Sequence, residues 1–146
     1  MNKQINAEAP VQTRQSIFIN AAPEKVWQVL TNIDDWDKWQ TDISRPVLNG
    51  ALKPDTTFTW RTGGVRILST LHTVQPYNFF GWNGKAFGSF AIHNWTLKEM
   101  NGQTQLSIKE SMEGWLVSLL KKKFNENLQK GTQSWLDLLK KECEKI

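Results

Sequence analysis

The sequence has little of what would tie a chain to a metal, a disulfide framework or a bilayer. One cysteine, Cys143, occurs in 146 residues, so no intramolecular disulfide can form. Its neighbours Lys140, Lys141, Glu142, Glu144 and Lys145 supply no metal cluster either, and the residue reads as incidental. The two histidines, His72 and His93, fall on different expected strands without metal-ligand spacing, and His72 is expected to face solvent. No apolar run approaches the roughly 18 to 20 residues of a membrane span. The opening MNKQINAEAPVQTRQ lacks the apolar core of a signal peptide, so the expectation is a soluble, cytoplasmic protein. A glycine-rich phosphate loop, a nucleophile elbow and a Cys-His arrangement are absent too, and no cofactor is expected.

Charge adds little. The formal net charge is +4, but the lysines are scattered apart from Lys121-Lys122-Lys123. No aromatic residues alternate with them as a nucleic-acid platform would require. On a helix those three lysines fan around the circumference and read as a solvated face, so no nucleic-acid partner is expected.

What the chain holds in excess is tryptophan, at positions 27, 36, 39, 60, 82, 95, 115 and 135. Aromatic side chains bury large areas, and more of them than a small core needs implies an aromatic core or a lined cavity. Trp27 and Trp135 read as plain core.

A chain of this length fits one domain, here residues 12–146 behind a flexible tail at 1–11. Residues 12–19 read as an opening strand. Pro23 and Glu24 then suit the first turn of a helix over 23–32, where Val26, Trp27, Val29 and Leu30 recur at helical spacing. Trp36 and Trp39 lie three apart on one side of a second short helix. Strands follow at 43–49, 56–62, 65–74, 79–83, 88–99 and 104–113, with Gly63-Gly64 and Asn101-Gly102 as hairpin turns. The first turn places Trp60 opposite Ile67 and Phe58 opposite Ser69. The second places Leu97 opposite Leu106, Trp95 opposite Ile108 and His93 opposite Glu110. The polar face of the last strand is clean, so the sheet is expected to be wet on one side.

Residues 115–144 read as one long helix whose stripe is Leu116, Leu120, Phe124, Leu128, Trp135 and Leu138 or Leu139. Gly131 interrupts it near Asn127, at a cost of about 1 kcal/mol relative to alanine. Two readings stand side by side: the helix leaves room for a ligand at Asn127 and Gly131, or it packs closely on the sheet.

His93 and Glu110 are the chemically loaded pair. Directly opposed residues on one face have Cβ atoms about 4.5 to 5.5 Å apart, within reach of an imidazole-carboxylate hydrogen bond. Burial disfavours both charged forms while pairing favours them. A histidine oriented by a glutamate suits general-base work on a bound carbonyl compound. The alternative is that the two satisfy each other, or grip a ligand hydroxyl or carbonyl, without bond chemistry. The expected pocket walls are Trp36, Trp39, Phe58, Trp60, Trp82, Trp95 and Trp115, with Asn127 and Gly131 from the helix.

Several segments carry a family resemblance. Ala22-Pro23-Glu24-Lys25-Val26-Trp27 resembles an "APxxVW" helix entry, and Asp35 to Trp39 an "sxWxxW" second helix. Val74-Gln75-Pro76 through Gly81-Trp82 is similar to an "xxPxxlxW" junction, and His93-Asn94-Trp95, Gly102-Gln103-Thr104 and Glu110 to an "HxW…GxT…E" hairpin. In this order, from about residue 12 to the end, they resemble the START-like superfamily, in its polyketide cyclase/dehydrase-like branch. The resemblance implies an α+β helix-grip fold: a curved antiparallel sheet of six or seven strands around a long C-terminal helix, with two short helices after the first strand. Members of the superfamily include enzymes, carriers, receptors and partner-binding modules, so fold alone does not name a function. The leading expectation is a carrier or sensor of a small, largely apolar molecule. A cyclase or dehydratase using His93 and Glu110 is a second. A third is a partner-binding module like the Hsp90-activator homologues, using an exposed face near Lys121 to Lys123.

Overall fold

Tight turns organise the sheet. In the computed structural model, which describes residues 3–146, Gly63, Gly64, Asn101 and Gly102 all take left-handed backbone conformations. Two consecutive positive φ values are what a two-residue hairpin loop requires. The seven strands are β1 (Val11–Ile19), β2 (Ile43–Leu48), β3 (Thr57–Thr62), β4 (Val65–Gln75), β5 (Phe79–Ala86), β6 (Ser89–Met100) and β7 (Gln103–Glu113). They form one antiparallel sheet in the order β1-β7-β6-β5-β4-β3-β2. The expected registers hold: Trp60 faces Ile67 and Phe58 faces Ser69, while Leu97 faces Leu106, Trp95 faces Ile108 and His93 faces Glu110.

Helix α1 (Pro23–Thr31) and a 3₁₀ helix (Ile33–Lys38) cross from β1 to β2 at opposite edges of the sheet. Trp36 lies within the 3₁₀ helix and Trp39 at its C-cap, and both rings pack on Trp135. Trp36 is fully buried, and its Nε1-H donates to the Leu30 carbonyl at 2.9 Å, which fixes the ring among Phe58, Trp60, Trp82 and Trp135.

The expected single C-terminal helix is two: α2 (Trp115–Leu119) and α3 (Lys121–Cys143). At Leu120 the backbone turns to φ −114 and ψ 39. Hydrogen bonds from Leu120 N-H to the Leu116 carbonyl and from Phe124 N-H to the Leu120 carbonyl, both 3.0 Å, continue across the joint. The chain kinks there because Leu116 N-H also bonds the Gly88 carbonyl at 3.1 Å and Val117 is buried in a small cluster with Val11 and Leu128. The kink turns Leu120 out of the expected stripe and exposes it; the buried residues of α3 are Leu128, Thr132, Trp135, Leu136, Leu139 and Cys143. Cys143 is thus part of the core, and burial pushes its thiol up to about 12.

The outer face of the sheet is partly covered, against the expectation of a wet surface. Residues 3–10 cross it: Asn94 Nδ2 donates to the Lys3 carbonyl at 2.7 Å and Asn6 N-H to Ser111 Oγ at 3.0 Å. His72, expected in solvent, sits half-buried at the β4 irregularity between Leu71 and Thr73. Its Nδ1 lies 2.7 Å from Thr73 Oγ1 and 3.3 Å from Lys3 N-H.

Candidate functional site

Side-chain size along two paired strands shapes the interior. On the face of β5 and β6 toward the helix, Phe80 pairs with Trp95 and Trp82 with His93; then Gly84 pairs with Ala91, and Ala86 with Ser89. Large pairs fill one end of the space under α3, and small pairs leave the other end empty. The result is a cavity of about 630 Å³ between the sheet, α2 and α3, within the roughly 300 to 1,000 Å³ of small-molecule sites. It opens to solvent between the β3-β4 turn, the β5-β6 turn and the start of α3, where its lining includes the exposed Val65, Phe87 and Asn127.

Gly131 lies on this wall, and a Cβ built on it meets nothing within 4 Å. Close helix-to-sheet packing therefore does not account for the glycine. The position borders open space.

His93 and Glu110 stand at the inner end of the cavity. His93 Nδ1 lies 2.5 Å from Glu110 Oε1, and both side chains are largely buried, so the two are in short hydrogen-bond contact. The imidazole lies flat on Trp82, with centroids 4.3 Å apart and planes at 15°. Its Nε2 is buried without a protein partner among the described residues. A hydroxyl or carbonyl entering along the apolar wall would find that nitrogen as the polar group at the end of its path. Among the described residues, no group of three or more His, Cys, Asp or Glu side chains is placed to hold a metal.

Of the residues read from the sequence, the structure brings His93, Glu110, Trp60, Trp82, Asn127 and Gly131 together on the cavity wall. Trp36, Trp39, Phe58 and Trp95 lie instead in the packed core, because the sheet curves and the helices press those rings against one another. Trp115 sits outside the lining, 60% exposed, with its edge against Phe87 at 5.3 Å. Trp135, read as plain core, does both jobs: it packs on Trp36 at 5.0 Å and lines the cavity. The small residues Gly84, Ala86, Ser89 and Ala91 were not among the expected walls, and their succession after the large residues on the same face of the same strands is the signal that could have found the hollow.

A family model described as polyketide cyclase / dehydrase and lipid transport matches residues 10–144. No curated protein sequence matches the chain. Among solved structures, the chain is similar to hypothetical protein jhp0584 from Helicobacter pylori, at 20% identity over 94% of this chain and 90% of that one, with a TM-score of 0.84. It is also similar to the Zhui aromatase/cyclase from Streptomyces sp. R1128, at 11% identity over 91% and 93% of the two chains and a TM-score of 0.80. A third similar structure is Ara h 8.0201, at 10% identity over 90% and 96% and a TM-score of 0.74. At these identities the likenesses establish the helix-grip fold.

Proposed function

Because the chain belongs to the polyketide cyclase / dehydrase and lipid transport family, we propose that it binds one small, largely apolar molecule between the sheet and α3, as a carrier or sensor. The observation that carries this is the size gradient across β5 and β6, which leaves about 630 Å³ open beside a well-packed aromatic core. A packed interior normally leaves few voids larger than a water molecule. A hollow of this size, ending in one buried polar pair, matches a ligand with a long apolar body and a single hydroxyl or carbonyl. Trp60, Trp82 and Trp135 would contact the body, and His93 Nε2 the polar end. Native mass spectrometry of protein purified from cells tests it: the expected spectrum carries a discrete adduct that organic solvent removes, and a bare polypeptide mass under the same conditions speaks against a resident ligand.

The unpartnered Nε2 supports a second reading, a cyclase- or dehydratase-type enzyme. In it His93 takes the proton from the carbon beside a bound carbonyl, and Glu110 stabilises the imidazolium that forms. Deuterium exchange of a simple aryl ketone, followed by NMR in D₂O, separates the two. Exchange faster than with His93→Gln favours the enzyme, and equal rates reject it. Changing His93 and Glu110 separately to alanine tests their place in either reading: unaltered ligand affinity in both variants would remove the pair from the site.

A further inference from the structure

The open end of the cavity is ringed by side chains that a water-facing surface does not need. Phe87 at the β5-β6 turn is 76% exposed, Leu119 of α2 is 71% exposed and Leu120 is also exposed. Trp115 is held edge-on against Phe87 and Leu119 follows it one turn along α2, so these side chains make an apolar ridge at this end of the molecule. The ridge is fixed by backbone: a Cβ on Gly88 would lie 2.5 Å from Leu116 Cβ, and one on Gly114 2.4 Å from the Gly88 carbonyl oxygen. The turn and α2 therefore meet as closely as two glycines allow.

Cations flank the ridge. Lys121, Lys122 and Lys123 follow it directly and are exposed, and exposed Lys85 near the end of β5 lies on the sheet face away from the lining Gly84 and Ala86. Beside the neighbouring β3-β4 turn, whose inner face lines the same opening through Thr62, Gly63 and Val65, Arg61 stands directly opposite Arg66 on the outer face of the sheet. Like charges so paired cost stability, so the fold itself gains nothing from them. Among the described residues, none of these six cations takes part in an ion pair.

We propose that this end of the molecule docks onto a lipid surface bearing anionic headgroups. Trp115, Phe87, Leu119 and Leu120 enter the headgroup-acyl boundary, and Lys121, Lys122 and Lys123 meet lipid phosphates. Apolar side chains this exposed, followed directly by three exposed lysines, suit a deformable bilayer better than a shaped protein partner, and the charge complements anionic lipid. The cavity opens within the same face, so an apolar molecule passes between bilayer and cavity without crossing water; this purpose rests on the ligand reading above, whereas the docking itself does not.

Sedimentation of the full chain with phosphatidylcholine vesicles, with and without phosphatidylglycerol, tests the proposal. Partitioning at least about tenfold stronger onto the anionic vesicles is expected, falling with salt. Trp115→Ser with Leu119→Ser, and separately Lys121, Lys122 and Lys123 all changed to Gln, should each remove most of it. Those side chains lie outside the cavity lining, so uptake of the neutral probe N-phenyl-1-naphthylamine should stay unchanged in both variants. Equal partitioning onto both vesicle types, or undiminished binding by the variants, overturns the proposal. So does a dimer that replaces vesicle binding and disappears with the same substitutions, or an acidic protein that binds this face while vesicles do not. Absent sedimentation with retained probe uptake sinks the docking alone, and sedimentation without probe uptake sinks the cavity reading alone.

Discussion

Two halves of one interior share the same strands and the same helix yet hold opposite contents. Where Phe80 faces Trp95 and Trp82 faces His93, rings fill the space, and Trp36 touches Phe58, Trp60, Trp82 and Trp135 within it. One or two cross-strand pairs further along, Gly84 faces Ala91 and Ala86 faces Ser89, and the space is open. Helix α3 repeats the change, from Trp135, Leu136 and Leu139 to Asn127 and Gly131. The lesson is that a hollow needs no change of topology: removing side-chain volume from one end of a continuous framework produces it, while the packed end supplies stability.

Substitutions in each half should therefore behave differently. The largest effect is expected in the packed half, where Trp36→Ala removes four ring contacts and the bond to the Leu30 carbonyl. A loss of about 3 to 5 kcal/mol by urea denaturation is expected, and less than about 1 kcal/mol would mean that the aromatic cluster is not the anchor of the fold. At the border, Glu110→Ala strips His93 of its one hydrogen-bond partner among the described residues, with an expected cost of about 1 to 3 kcal/mol and weaker uptake of ligands carrying a hydroxyl or carbonyl. In the hollow half the sign reverses: Gly131→Ala meets no neighbour within 4 Å and should raise stability by up to about 1 kcal/mol through helix propensity alone. A loss there would show that the helix packs more tightly than described.

The smallest effect lies at the end of α3. Lys140 chiefly, through a side-chain hydrogen bond, and then Asn20 N-H hold the Glu144 carboxyl below its ordinary range. A depressed carboxylate stabilises the fold above its unfolded-state titration and loses that contribution as pH falls through the folded one. The stability difference between wild type and Glu144→Gln should accordingly be small at neutral pH, since the site is wet, and vanish in acid. A difference that grew on acidification would reverse the assignment.

Much of this was legible from local chemistry. The Asn101-Gly102 turn determines which residue of β6 meets which of β7, so the His93-Glu110 contact followed from counting. The Pro23 helix entry and the Gly63-Gly64 turn were equally direct. The fate of individual tryptophans was not, because facing inward is a property of the strand, whereas facing a ring or a void depends on sheet curvature and on where the helix lies. Trp95 and Trp135 show this, one taken for a wall and found in the core, the other taken for core and found to line the cavity as well. The kink at Leu120 escaped periodicity because helical hydrogen bonds and spacing continue on both sides of a single residue with altered φ and ψ.

The central claim is that the small-residue end of the grip is a cavity that takes up an apolar molecule. Titration of N-phenyl-1-naphthylamine into wild type and Gly131→Leu, each first shown to be folded by circular dichroism, addresses it most directly. One saturable site in the wild type, abolished by a leucine projecting into the open space while the fold persists, is the predicted result; probe binding that the leucine leaves untouched would contradict it.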